Sequence, residues 1–284
     1  MKAFVKIFLI LPLVLLLASC SGKKALNFFV PKTGYGLHEG VAYGPDPRQA
    51  MDIYVPEHLR QPGCTVLFFY GGRWTTGDRS LYRFAGQAFA SEGCVTAVAD
   101  YRVYPHIRYP VFLEDSAQAL VYLHNHAAEF SADPARIFVA GHSAGAYNAV
   151  MLAMDPQYLK KAGGKPEWIR GVIGVAGPYD FLPFDSADVI DIFSTERNQE
   201  LTQPIHYARA GLPPMLLVAG ENDEEVKVKN TINLASELRQ YKDPVEVHIY
   251  PDAMHEAIIL SLLNGFRGKI PLLHDSIQFI LEQK

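Results

Sequence analysis

Ser143 is the residue of this chain best placed to act as a nucleophile. It stands in Gly141-His142-Ser143-Ala144-Gly145, a G-x-S-x-G pattern, with the apolar run 137–140 before it and a helical pattern from Ala144 to about residue 154 after it. A strand that turns straight into a helix presents one side chain at the tip of the turn, and its strained backbone demands small neighbours. Gly141, Gly145 and Ala146 supply them. A hydroxyl held there sits over a helix start, whose free N–H groups favour negative charge as it develops. The N–H of Ala144 is then a candidate donor to a tetrahedral oxyanion. The chemistry implied is attack on a carbonyl. The plainer alternative is a glycine-rich turn whose serine caps a helix; a buried strand before the motif and a helix after it favour the catalytic reading.

The elements that would hold such a turn alternate along the chain. Residues 40–44 and 50–55 read as two opening strands separated by Pro45, Asp46 and Pro47. The run 65–70 is continuously apolar, as expected of a strand buried on both faces. Residues 81–91 have a helical pattern, 95–99 form the next buried strand, and 111–128 form a long amphipathic helix. After the serine turn come strands at 171–176, 215–219 and 245–250, a helix over 226–241, and closing helices at 256–263 and 272–281. Strand, helix, strand, helix predicts an α/β fold with a mostly parallel sheet covered on both faces. Sites on such sheets lie at the carboxyl ends of strands. The segment 179–213 is long and irregular, in the manner of a lid, and His206 within it reads as structural.

Four further stretches stand out, the first within an opening strand and the others after strands: Met51-Asp52-Ile53-Tyr54, Tyr70-Gly71-Gly72-Arg73-Trp74, Asp100-Tyr101-Arg102-Val103-Tyr104-Pro105 and Gly177-Pro178-Tyr179-Asp180. Together with the serine turn they resemble the α/β-hydrolase superfamily, and within it bacterial carboxylesterases of the hormone-sensitive-lipase and feruloyl-esterase type. The matching family patterns are LDIY, HGGGW, DYRLAP and GPYD. The resemblance runs from about residue 37 to the end and implies a single α/β-hydrolase domain over 37–284.

The resemblance also implies a triad in the order serine, acid, histidine. His255 follows the last strand, in Pro251-Asp252-Ala253-Met254-His255-Glu256, and is the expected base; His274 lies deep in the closing helix and reads as a surface or packing residue. Gly220-Glu221-Asn222-Asp223-Glu224-Glu225-Val226 fits the family's G-x-x-D-x-x-V, which selects Asp223 as the acid and leaves Glu221, Glu224 and Glu225 as a solvated loop face. The expected oxyanion hole consists of the backbone N–H groups of Gly72, Arg73 and Ala144. This loop departs from the family twice: Tyr70 stands where a histidine normally braces it, and Arg73 replaces the third glycine. The Arg73 side chain is expected to face solvent or pair with Asp78, rather than to place a charge at the pocket mouth. Trp74, Tyr147 and Phe181 divide evenly between pocket lining and plain core.

The N-terminus reads as a targeting segment. Lys2 and Lys6 precede an uncharged run over 7–18, too short to span a membrane and suited to a signal peptide. Leu17-Ala18-Ser19-Cys20 resembles the bacterial lipobox, in which the cysteine becomes lipidated. This gives a signal peptide over 1–19, a lipidated tether over 20–36, and a domain exported and anchored to the bacterial envelope. Ser21, in place of Asp, points to the outer membrane. An exported chain meets an oxidising compartment, where Cys64 and Cys94 either pair or remain as small buried hydrophobes.

The formal net charge is −4, with 30 acidic residues against 26 basic ones and no basic block, which argues against nucleic-acid binding. Ten histidines show no zinc-type spacing. The reading is therefore a serine hydrolase acting on small-molecule carboxylic esters, with acetyl or feruloyl esters of polysaccharides as the family-level substrate, and with neither a metal nor an organic cofactor. The rivals are an amide hydrolase resembling arylformamidases and a non-catalytic binding lipoprotein on a hydrolase scaffold.

Overall fold

The computed structural model describes residues 27–283. The signal peptide, Cys20 and the first part of the tether lie outside the described residues.

Eight strands form one sheet in the order β1-β2-β4-β3-β5-β6-β7-β8. They are β1 (Tyr35–Ala42), β2 (Ala50–Pro56), β3 (Thr65–Phe69), β4 (Val95–Ala99), β5 (Ile137–His142), β6 (Ile169–Val175), β7 (Met215–Gly220) and β8 (Val245–Tyr250). β1 and β2 pair antiparallel, as do β2 and β4; every later pairing is parallel. Every residue of β3, β4, β5 and β7 is buried, which explains why those runs are apolar without alternation.

The covering helices are α1 (Arg83–Ser91), α2 (Val111–Asn125), α3 (Ala144–Met154), α4 (Pro156–Lys161), α5 (Ala187–Ile192), α6 (Lys229–Gln240), α7 (His255–Leu260) and α8 (Leu272–Glu282). α3 is buried at every position. It packs on β5 and β6 on one side and on α2 and α4 on the other. Its run of Ala, Val, Leu and Met, with no charged residue, suits that location.

The opening differs from the sequence reading. β1 begins at Tyr35, five residues before the predicted strand and inside the segment assigned to the tether. Val30 is already buried, and the Asn27 amide donates to the Ser80 carbonyl. Half-exposed alternation along this edge strand, and a register shift between His38 and Val41, weaken its apolar signal.

Cys64 and Cys94 form a disulfide. Each immediately precedes its strand, and Thr65 pairs with Val95 in adjoining parallel strands, so the register itself brings the two sulfurs together. At the other edge, β8 has only β7 as a neighbouring strand among the described residues. It is tied to α8 by Asp275, whose Oδ2 accepts from the Tyr250 hydroxyl and lies 2.7 Å from His248 Nδ1.

Candidate active site

β5 ends at His142, and Ser143 follows with φ 54° and ψ −122°. A non-glycine residue held in that region costs on the order of 1–3 kcal/mol and persists only where its surroundings impose it. Here the Ser143 N–H donates to Val175 of β6, and its carbonyl accepts from Ala146 and Tyr147 in the first turn of α3. Two glycines make the turn sterically feasible. A Cβ on Gly141 would lie 2.2 Å from the Gly145 carbonyl oxygen, and one on Gly145 would lie 2.1 Å from that of Phe69.

The expected acid and base meet across two loops. Asp223 Oδ2 lies 2.7 Å from His255 Nδ1, and both residues are buried, at 3% and 4% exposure. Asp223 Oδ1 accepts from the N–H groups of Glu225 and Val226, so the carboxylate is held at both oxygens. The loops after β7 and β8 are laced together by Asn222 N–H donating to Ala253 O and Glu221 N–H donating to Tyr250 O. Burial alone would lower the His255 pKa, but the hydrogen bond and charge of Asp223, with Glu225 and Glu256, outweigh it and hold the pKa above its ordinary value. Glu225, read from sequence as solvated, is exposed but reaches within 4.0 Å of His255 Nε2.

The His142 and His255 ring centroids lie 4.7 Å apart, which brings His255 up to the serine turn. Among the described residues the Ser143 hydroxyl makes no hydrogen bond. Such contacts are commonly loose without substrate and tighten on the reaction path.

The third component is the loop after β3. Gly71 passes so close to the serine turn that a Cβ on it would lie 2.9 Å from Ser143 Cβ. Gly72, Arg73 and Trp74 follow with φ of 139°, 54° and 58°, a coil closed by the Thr75 and Thr76 N–H groups on the Gly72 carbonyl. Trp74 locks the coil: its indole N–H donates to Asn148 of α3, and its carbonyl accepts from Tyr104.

Tyr70 braces the loop in the missing histidine's place. Its hydroxyl donates to Asp100 Oδ1 at 2.7 Å and accepts from Arg48 at 2.8 Å, while Tyr101 donates to its carbonyl. Asp100 in turn pairs with Arg79, which also holds Asp52.

The Arg73 guanidinium turns away to Ser186 and Asp188, in and before α5. The expected partner Asp78 instead caps the short helix Arg79–Tyr82 by accepting from Ser80. Trp74 and Tyr147 belong to a buried aromatic cluster with Phe112 and Phe193, and half-buried Phe181 joins its edge. His206 and His274 are exposed and take no part. Sequence reasoning missed Arg48, Arg79 and Tyr82. Of their partners, Tyr70, Asp52 and Asp100 carried a signal, through the loop after β3 and the LDIY-like and DYR stretches.

The BD-FAE family profile matches residues 51–238, about two thirds of the chain. The chain belongs to the BD-FAE family. The BD-FAE match includes Ser143, Asp223 and the loop after β3, and stops before His255. Among curated relatives of this BD-FAE chain, a probable isoprenylcysteine alpha-carbonyl methylesterase of Arabidopsis thaliana is 25% identical over 264 residues, covering 85% of this chain and 55% of that protein. Esterase LipC of Mycobacterium tuberculosis is 28% identical over 219 residues, covering 70% of this chain and 54% of that protein. The chain thus spans little more than half the length of these two relatives. A truncated carbohydrate esterase from gut microbiota shares the fold with a TM-score of 0.78 at 17% identity, covering 89% of this chain and 98% of that one. Esterase B of Lactobacillus rhamnosis does so with a TM-score of 0.78 at 20% identity, covering 91% and 90%. The fold is that of the α/β-hydrolase esterases.

Proposed function

We propose that this BD-FAE protein hydrolyses carboxylic esters through an acyl-enzyme. Ser143 Oγ attacks the ester carbonyl as its proton passes to His255 Nε2. The tetrahedral oxyanion is held by the N–H groups of Ala144, Gly72 and Arg73. The C–O bond to the alcohol breaks, and His255 returns the proton to the leaving alkoxide. Water, deprotonated by His255, then attacks the acyl carbon and releases the acid and Ser143. Asp223 holds the His255 tautomer and stabilises its cation. The observation that carries this reading is the buried Asp223–His255 pair packed against His142, the residue that precedes Ser143 in a strained strand-to-helix turn. The names of the relatives support ester chemistry, and the carbohydrate-esterase fold neighbour favours acetyl or feruloyl groups on sugars as substrates.

The test is fluorophosphonate labelling and p-nitrophenyl acetate turnover by the protein beside Ser143→Ala. Labelling and turnover that vanish in the variant support the reading. A wild-type protein that folds but takes no label and turns over no ester overturns it, and brings the binding-lipoprotein alternative forward.

We further infer export and lipid anchoring at Cys20, which the Cys64–Cys94 disulfide supports by its need for an oxidising compartment. Radiolabelled palmitate should enter the wild type and not Cys20→Ser in a bacterial host; equal labelling of both would exclude this anchor.

A further inference from the structure

Tyr82 lies outside the triad and the oxyanion donors, yet its hydroxyl touches both sides of the site. It ends the short helix Arg79–Tyr82 and is buried. Its oxygen accepts the Gly71 N–H at 3.3 Å and lies 3.3 Å from His142 Nδ1. A phenol has a single proton. Besides accepting the Gly71 N–H, the same oxygen shares a hydrogen bond with His142 Nδ1, in a direction set by the imidazole tautomer. One oxygen therefore joins the residue preceding the two loop donors to the residue preceding the nucleophile. The contact continues to the base, because the His142 ring packs against that of His255.

The position of this oxygen is fixed by stacking. The Tyr82 ring stacks on Tyr70, with centroids 5.6 Å apart, and on Phe84, at 5.5 Å. Tyr70 is itself stacked on Tyr101 at 4.9 Å and held through Asp100 and Arg48. Burial pushes the Tyr82 phenol well above the usual tyrosine range, so its proton stays in place at any working pH.

We propose that Tyr82 is a positioning residue that sets the distance between the oxyanion-binding loop and Ser143. This rests on the esterase reading. Oxyanion donors must lie about 2.7–3.1 Å from where the charge develops, so a loop freed by a few tenths of an ångström stabilises the transition state less while still admitting the ground-state ester. The loss therefore falls on kcat rather than on KM.

The experiment compares wild type, Tyr82→Phe and Tyr158→Phe with p-nitrophenyl acetate, using an alkylboronic acid as a tetrahedral mimic. Phenylalanine keeps the stacking and removes only the hydroxyl. Tyr158→Phe removes a buried hydroxyl bonded to Tyr109, away from the loop. Tyr82→Phe should lower kcat and kcat/KM by about tenfold with KM within about twofold, and weaken the boronic acid in parallel; Tyr158→Phe should change none of these. His142→Phe approaches the same bond from the other side, and in that background Tyr82→Phe should cost less than it does alone. Wild-type kcat in Tyr82→Phe, a lower kcat with undiminished boronic acid affinity, or equal losses in Tyr158→Phe would each overturn the positioning role. Wild-type protein without Ser143-dependent turnover would overturn the esterase reading together with it. If Tyr82→Phe does not fold, His142→Phe with unchanged kcat and boronic acid affinity overturns the role.

Discussion

Asp223 Oδ2 and His255 Nδ1 meet at 2.7 Å across two loops that follow neighbouring parallel strands. The other carboxylate oxygen is occupied by two backbone N–H groups, so the acid is free to neither rotate nor shift. Asp223→Asn keeps the shape but presents an amide to Nδ1 and favours the wrong tautomer. Turnover should fall by about 10³–10⁴-fold with the fold retained. Steady-state kinetics and circular dichroism check this; a loss under tenfold would remove Asp223 from the role.

The raised His255 pKa sets the acid limb of the rate profile. In the proposed reaction His255 can act as a base only when neutral, so kcat/KM should fall as pH drops through a value above 6.5. Glu225→Gln removes one of the charges that raise it, and the limb should move to lower pH. Because the Glu225 side chain is exposed, added salt should shrink that shift. Stability runs the other way. Protonated His255 is favoured in the fold, a contribution present below 6.5 and lost as pH rises through the folded value.

Arg79 compensates two buried carboxylates, Asp52 and Asp100. Arg79→Met leaves both without their cationic partner and should cost about 3–5 kcal/mol. Urea denaturation measures it. A cost under about 1 kcal/mol would show that the pairing contributes no more than a surface ion pair.

The disulfide closes a separation of 30 residues. On the chain-entropy account, the double variant Cys64→Ser, Cys94→Ser should lose about 3.5 kcal/mol. The bond lies at the starts of β3 and β4, away from the catalytic strand ends, so kcat at low temperature should be unchanged. Equal denaturation midpoints for the two proteins would contradict the stabilisation.

The readable part of this site is local. Ser143 announces itself because strand, turn and helix requirements coincide within eleven residues, and β3, β4, β5 and β7 announce themselves because burial on both faces leaves few polar positions. His255 and Asp223 were legible only through the family order of triad residues, since four acids crowd the loop at 221–225. The brace was not legible. Arg48, Tyr70, Tyr82 and Asp100 are brought together by strand order, and nothing in the spacing of a tyrosine tells which carboxylate it will meet. Arg73 shows the same limit: sequence proximity suggested Asp78, whereas the fold delivers Asp188 from the segment 179–213. Cys64 and Cys94 were open because pairing depends on register, which β3 and β4 supply only once adjacent.

The proposed nucleophile and base belong to parts of the sheet with unequal anchorage. Ser143 hangs from β5, enclosed by β3 and β6, whereas His255 follows β8, whose outer ladder is open and whose attachment beyond β7 includes the Asp275 bonds to His248 and Tyr250. A rim strand opens at lower free energy than a central one. In rising denaturant the two halves of the catalytic apparatus should therefore part before the chain unfolds as a whole: turnover disappears first, while the core around β5 still resists hydrogen exchange. The protein's working range is then bounded by the cohesion of its margin rather than by that of its core.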